Sequence, residues 1–336
     1  MSTIKDVAKK AGVAPSTVSY VLTNNKRLTE ETRRRVIRAM EELSYVPNGV
    51  ARSMKSKNTY LIGLLLSDVA HYPSFAIAKG VDDVAFKANY SVIFCHTHNE
   101  PERESQYIRL LEERQVQGII VASRRTEELT HTYLKSRRMP IVYANRYEPG
   151  ESISCVLVDN EAGGYAATKH LLDLGHRRIA FISGPPGRSS SRDRRRGYER
   201  ALSEAKIPVA PDLIRTGEYS VESGCKAMKQ LLSLEARPTA VFAANDDMAI
   251  GAVNCIVESS WRVPEDISVV GYDNSIQSGF VHPALTTVDF PLSHVGAVAA
   301  KVLLDEISSG STTPQSIRIK CDLIVRGSSG PVPKGE

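Results

Sequence analysis

The chain has no long apolar run. Nothing in its 336 residues approaches the 18 unbroken apolar positions that a membrane-spanning helix needs, and the first ten residues are charged, with no apolar stretch of the secretory-signal kind. Cysteine is sparse. Cys95, Cys155, Cys225, Cys255 and Cys321 form no Cys-x-x-Cys pair, and an odd count at scattered spacing fits reduced thiols that mostly fill cores. Metal ligands are equally thin: His96 and His98 are the only tight histidine pair and have no cysteine nearby, so neither a metal nor any other cofactor is expected. A P-loop, a Gly-x-Ser-x-Gly elbow and a GxGxxG turn after the first strand are all missing, and no carboxylate pair is set up for acid–base work. These absences argue against an enzyme.

What is present is ordinary in bulk and lopsided in charge. Hydrophobic residues make up 42% and charged residues 24%, which suits a globular chain with room for more than one core. Residues 1–60 hold twelve Lys/Arg against five Asp/Glu, a net of +7, whereas the remaining 276 hold 31 against 33. The whole positive excess therefore sits on the first sixth of the chain, as a phosphate-binding module would have it.

That basic stretch reads as three short helices. Thr3 with Asp6 resembles a capping box, and Ile4, Val7, Ala8 and Ala11 fall at i, i+3, i+4, i+7. Gly12 supplies a left-handed stop and Pro15 opens a second helix to Leu22. Two short helices joined by a tight Gly-containing turn are the signature of a helix-turn-helix, whose second helix enters the major groove. Val18, Val21 and Leu22 are expected inside, which leaves Ser16, Thr17, Ser19 and Tyr20 outward. On an arbitrary helix those four would be a solvated face; the surrounding charge favours DNA contact. A third helix runs from the Thr29 cap to about Leu43, with Val36, Ile37, Met40 and Leu43 as its expected packing stripe. Pro47 ends it, and Asn48 can cap one more short helix, Gly49 to about Lys55.

Residues 3–55 closely resemble the DNA-binding headpiece and hinge helix of the LacI/GalR family of bacterial transcription regulators. Two departures stand out. Ala14 replaces the usual Ser cap of the recognition helix, a change worth about 1 kcal/mol. Met54 replaces the hinge Leu that, in the family, wedges between base steps in the minor groove; Met is apolar and flexible enough to fill the same gap. The resemblance implies DNA contacts at Thr3, Pro15, Ser16, Thr17, Ser19, Tyr20, Asn24, Tyr45, Asn48, Arg52, Met54 and Lys55. Among these, Pro15, Ser16 and Tyr20 take the base-choosing positions. Because each recognition helix reads one half-site, it also implies a homodimer on palindromic double-stranded DNA. No leucine heptad follows at the end of the sequence, so no tetramerising tail is expected.

Beyond residue 58, apolar runs alternate with helix-length segments: 60–66, 90–95, 118–122, 141–144, 155–158, 178–183, 240–244 and 267–271. This rhythm argues for parallel sheets with crossover helices, and it restarts after Asp159. The family likeness continues through Val158-Asp-Asn-Glu-Ala-Gly-Gly164, Leu174-Gly-His-Arg-Arg-Ile179, Ala244-Asn-Asp246, Val270-Gly-Tyr-Asp273 and Leu285-Thr-Thr-Val288. It implies an α/β fold: an all-α headpiece (1–46), a hinge helix and linker (47–58), and a periplasmic-binding-protein-like core (59–330) of two Rossmann-like subdomains. The first would hold about 60–160 and 291–320, the second about 161–290 and 321–330.

Open parallel sheets bind ligands at the carboxyl ends of their strands, which puts Asn145 and Arg146, the Arg188 to Arg194 segment, Asn245 and Asp273 at the candidate site. The family's effector contacts fall on Arg194 and Asp273, with Arg188, Ser190, Tyr219 and Asn245 beside them. Asn145 stands where many sugar-binding members have Asp, and Tyr72 or Tyr219 can stack on a ring. On a bland reading Asn245 and Asp246 are merely helix caps and most of the arginines face water. The implied function is a cytoplasmic, nucleoid-associated repressor of a carbohydrate or related operon, controlled by a sugar or sugar derivative bound between the subdomains. A nucleobase- or nucleoside-responsive repressor and a catabolite-control regulator governed by a phosphoprotein partner stay open, as does the choice between inducer and corepressor.

Overall fold

In the computed structural model of the chain, residues 2–22, 28–45, 58–67, 72–98, 100–122, 139–145, 153–310 and 313–332 are described. The chain separates into two compact units, Met1–Thr59 and Tyr60–Glu336.

In the first unit, α1 (Ile4–Ala11) opens on a complete capping box. Asp6 N–H donates to Thr3 Oγ1 at 3.4 Å and Thr3 N–H to Asp6 Oδ2 at 2.8 Å, so two otherwise orphaned donors are satisfied. Those bonds from Thr3 also hold the Asp6 carboxyl below its ordinary range. Gly12, at φ 64°, stops the helix. Then come α2 (Pro15–Leu22) and α3 (Glu30–Glu42), the latter capped by Thr29, whose hydroxyl accepts from Thr32 N–H at 3.3 Å. The core is Val7, Ala8, Ala11, Val18, Val21, Val36 and Ala39, with Met40, Leu43 and Tyr45 packed on it. Ile37 departs from the expected stripe and is 42% exposed. Residues 36, 39, 40 and 43 keep the i, i+3, i+4, i+7 spacing, and position 37 is rotated about 100° off that face.

The second unit holds two six-stranded sheets in the orders β11-β5-β4-β3-β1-β2 and β12-β10-β9-β8-β6-β7. The first comprises β1 (Leu61–Leu66), β2 (Ser91–His96), β3 (Ile119–Ala122), β4 (Ile141–Ala144), β5 (Ser154–Val158) and β11 (Ser316–Ile319), all parallel. The second comprises β6 (Ile179–Ser183), β7 (Ile214–Thr216), β8 (Ala240–Ala243), β9 (Ser268–Asp273), β10 (Thr286–Asp289) and β12 (Leu323–Ile324), parallel but for the antiparallel β10–β12 pair. Helices α4 (Tyr72–Lys87) and α10 (Leu292–Ser309) pack together against the first sheet, and Ile108 and Leu111 of α5 (Pro101–Glu113) cover its other face. The chain passes between the sheets three times: after β5, between β10 and α10, and between β11 and β12.

Against the second sheet lie two close helix pairs, α6 (Asn160–Asp173) with α7 (Ser189–Glu204), and α8 (Val221–Leu232) with α9 (Asp246–Glu258). The α6–α7 crossing is backbone on backbone. A Cβ at Gly197 would overlap Glu161 O and Tyr165 N, and one at Gly164 would overlap Arg194 O. Gly197→Ala should therefore push the helices apart and lower stability by about 1 to 3 kcal/mol in urea denaturation. A change within error would mean that the crossing gives way freely.

Candidate functional site

In the first unit, α2 presents Pro15, Ser16 and Tyr20 to solvent, with Tyr20 50% exposed, while Thr17 and Ser19 are half-buried. Val18 and Val21 on the opposite side anchor the helix. The Ala14 carbonyl accepts from Thr17 N–H at 2.9 Å, so backbone alone tightens the start of α2. Thr3 is exposed and committed to its cap, and Tyr45 lies half-buried against the three-helix core. Asn24, Asn48, Arg52, Met54, Lys55 and the expected hinge helix lie outside the described residues.

In the second unit, the candidates follow the carboxyl ends of β4 in the first sheet and of β6, β7, β8 and β9 in the second. The centre is Arg194, one turn into α7 and only 3% exposed. Its Nε donates to Asn160 Oδ1 at 2.9 Å, its Nη1 donates to Ala244 O and lies 3.4 Å from Asp273 Oδ1, and its guanidinium stacks 3.6 Å from the centre of the Tyr272 ring. A buried guanidinium is tolerated only where its charge is compensated, and here three acceptors sit at Nε and Nη1 while an aromatic ring faces the plane. Asn160 in turn donates to Val158 O at 3.3 Å, and the Tyr272 hydroxyl meets Cys321 Sγ at 3.3 Å. The first bond reaches the last residue of β5, where one crossing begins, and the second reaches the segment between β11 and β12, so Arg194 is tied to two of the three crossings.

Asp273 ends β9 at φ 117°, followed by Asn274 at φ 50°, and this turn aims its carboxylate at Arg194. Burial pushes the Asp273 carboxyl up to about 7; Arg194 opposes the rise, and Asp246 and Asp247 add to it. Asp246, at the start of α9, accepts from Thr287 Oγ1 at 2.5 Å and Ser275 N–H at 2.7 Å, and burial lifts its carboxyl to about 6 against those bonds. Asn245 caps α9: its Oδ1 accepts from Met248 N–H at 3.0 Å and its Nδ2 donates to Tyr219 O at 3.4 Å. Asn245 therefore acts as a helix cap, whereas the Asp246 carboxylate ties α9 to Thr287 and Ser275 instead of capping it.

Tyr219, at φ 59°, lays its ring against Gly184, where a Cβ would overlap it, and its buried hydroxyl has no hydrogen-bond partner among the described residues. Arg188 and Ser190 are half-buried at the start of α7, and Asn145, at φ 56°, donates its N–H to Val156 O at 2.7 Å. Tyr72 begins α4 with its side chain outside the described residues, as is Arg146. Asn160 and Tyr272 were not legible as site residues; each sat in a family-like segment, with nothing to mark it as the partner of Arg194. Among the described residues no group of His, Cys, Asp or Glu is arranged to hold a metal, and no helix is long and apolar enough to cross a membrane.

An acid whose folded pKa exceeds its unfolded value of 3.8 binds its proton more tightly when folded. Its stabilisation is full below about pH 4 and is lost as pH rises through about 7. Half-buried His170 and buried His176, both pushed down by burial, act in the opposite sense, so only a comparison of two proteins isolates Asp273. Asp273→Asn should flatten the decline in urea-measured stability between pH 4 and 7; an unchanged slope would contradict the shift.

A helix-turn-helix unit together with a two-sheet core carrying polar groups at its strand ends defines a ligand-responsive DNA-binding regulator. Residues 3–48 match the family model for bacterial regulatory proteins of the lacI family, and residues 168–329 match that for a periplasmic binding protein-like domain. The chain is 38% identical over 333 residues to the HTH-type transcriptional repressor PurR of Aliivibrio fischeri (strain MJ11), covering 98% of each chain. Among solved structures it is similar to the lac repressor dimer bound to operator and the anti-inducer ONPF, with TM-score 0.86, 30% identity and coverage of 98% of this chain and 99% of that one. It is also similar to a transcriptional regulator CelR–cellobiose complex, with TM-score 0.73, 33% identity and coverage of 98% and 100%. The chain belongs to the LacI family of bacterial regulatory proteins and is a DNA-binding transcriptional regulator. These relatives are regulators of transcription rather than enzymes.

Proposed function

We propose that the protein is a homodimeric repressor that binds a palindromic operator through α2 and the 47–58 hinge, and that a carbohydrate or sugar derivative held at the strand ends around Arg194 and Asp273 controls it. The observation that carries this reading is the Arg194 network. One buried guanidinium joins Asp273 at the strand ends to Asn160 and Tyr272, whose own partners lie where one crossing between the sheets begins and within another. A ligand that exchanges hydroxyls for those partners would bias the angle between the two lobes, which is what coupling by population shift requires. Asn145, Asn245 and Asp273 offer donors and acceptors suited to vicinal hydroxyls, with Tyr219 beside them as an aromatic wall. The solved cellobiose complex of CelR lends the carbohydrate class weight.

On the DNA side the support is the exposed Pro15, Ser16 and Tyr20 face in a segment of net +7. Tyr20 is long enough to reach a thymine methyl. Tyr20→Ala should relax base preference at one position of each half-site, by about 1 to 3 kcal/mol, in binding to a panel of singly substituted operators. A uniform loss across the panel would make Tyr20 a backbone contact instead. The effector is tested by a thermal-shift screen of sugars, sugar phosphates and nucleosides, since a ligand that binds only the folded state raises the melting temperature. Stabilisation by a sugar that also changes operator affinity is expected. Stabilisation by nucleosides alone would replace the carbohydrate class.

A further inference from the structure

Helices α8 and α9 cross as closely as any pair in the core. A Cβ at Gly251 would come 2.8 Å from Cys225 N, and one at Gly224 would lie 2.5 Å from Met248 Cα. One turn beyond Gly251, on the same side of α9, Cys255 neighbours Cys225 across this crossing, each thiol within electrostatic reach of the other. Both are free cysteines, with Cys255 fully buried and Cys225 partly buried. Cys95 faces the Ile93 carbonyl, Cys155 the Ser316 hydroxyl, and Cys321 the Tyr272 hydroxyl and the Asp159 carbonyl, none of them another thiol.

We propose that Cys225 and Cys255 form a disulfide when the protein meets a hydroperoxide, with the less buried Cys225 oxidised first and the fully buried Cys255 resolving it. In the first step the Cys225 sulfur, as thiolate, attacks a peroxide oxygen. The O–O bond breaks, the leaving hydroxide or alkoxide takes a proton as water or alcohol, and Cys225 becomes a sulfenic acid. In the second, the Cys255 sulfur attacks the Cys225 sulfur, the S–O bond breaks, and the hydroxyl leaves with the Cys255 proton as water. Two electrons pass from the thiol pair to the peroxide, and one S–S bond is formed. Burial raises the Cys255 thiol to about 11, so it is the poorer of the two at meeting peroxide first. The bond would tie the helix that follows Tyr219 to the helix that Asn245 caps, fixing one wall of the proposed effector site.

The test uses the full chain, reduced, treated with hydrogen peroxide, alkylated with iodoacetamide and digested with trypsin. Cleavage at Arg215 and Lys226 places Cys225 on peptide 216–226, and cleavage at Lys229 and Arg262 places Cys255 on peptide 230–262. The two peptides should be recovered linked, two hydrogens lighter than their sum, and separated by dithiothreitol. In Cys255→Ser, peptide 216–226 should carry added oxygen instead. Oxidation should raise the melting temperature of the natural chain and leave that of both Cys225→Ser and Cys255→Ser unraised. Recovery of both peptides singly alkylated, or of Cys225 linked to any other cysteine, would overturn the proposal.

Discussion

Val18→Asp should abolish DNA binding while the second unit melts where it does in the natural chain. Val18 is fully buried in a core of seven small apolar residues, and a unit of about 60 residues has little stability to spare. An unpaired carboxylate there costs several kcal/mol whether it is buried charged or protonated, more than such a core can offset. Fluorescence anisotropy with an operator duplex reads the loss, and differential scanning calorimetry reads the core. Retained binding would mean that the three-helix unit is not the DNA-reading element. A core that unfolded along with it would contradict the division of the chain into two units.

Arg194→Met carries the second large effect, this time in the core. Methionine matches much of the arginine's apolar length but leaves Asp273, Asn160 Oδ1 and Ala244 O without their donor. Removing one partner of a buried ion pair costs about 3 to 5 kcal/mol. A fall of about 10 °C in melting temperature is therefore expected. Asp273 supplies a finer check. Its carboxyl is already raised to about 7 with the arginine in place, and losing Arg194 raises it further. Near pH 6 the carboxyl escapes part of the penalty by holding its proton, whereas at pH 8.5 it must bury a charge or take up a proton, so the loss should be larger at the higher pH. A loss independent of pH would show that packing on Tyr272, not the ion pair, is what the arginine supplies.

Much of this was legible in the residues, for reasons that separate local from tertiary information. The headpiece helices announce themselves through caps and spacing: Thr3 with Asp6, Gly12 and Thr29 each act within one turn, and each does so in the structure. The central strands were also readable, since a strand such as Leu61–Leu66, buried on both faces, is a continuous apolar run. No long apolar run marks the strands Ile214–Thr216, Thr286–Asp289, Ser316–Ile319 and Leu323–Ile324. Three lie at sheet edges, where half-exposure blurs the pattern, and Thr286–Asp289 is short and polar at both ends. Ile37 misled because an apolar residue one step off a stripe reads as part of it. At the candidate site, strand-end logic and the family likeness located Arg194 and Asp273 but could not show that Asn160 and Tyr272 hold the arginine. Those contacts join residues 34 and 78 positions away, and only the fold brings them together.

The most direct measurement is operator selection followed by competition. The full chain should enrich an inverted repeat from a random duplex pool and bind it at least a thousandfold more tightly than a scrambled duplex of the same composition. Affinity should fall steeply with salt, as phosphate contacts by the basic first unit require, and it should shift when the metabolite that stabilises the core in the thermal screen is added. No preference for any inverted repeat over random competitor at moderate salt, with or without that metabolite, would contradict the assignment of DNA reading to the first unit and its control to the second.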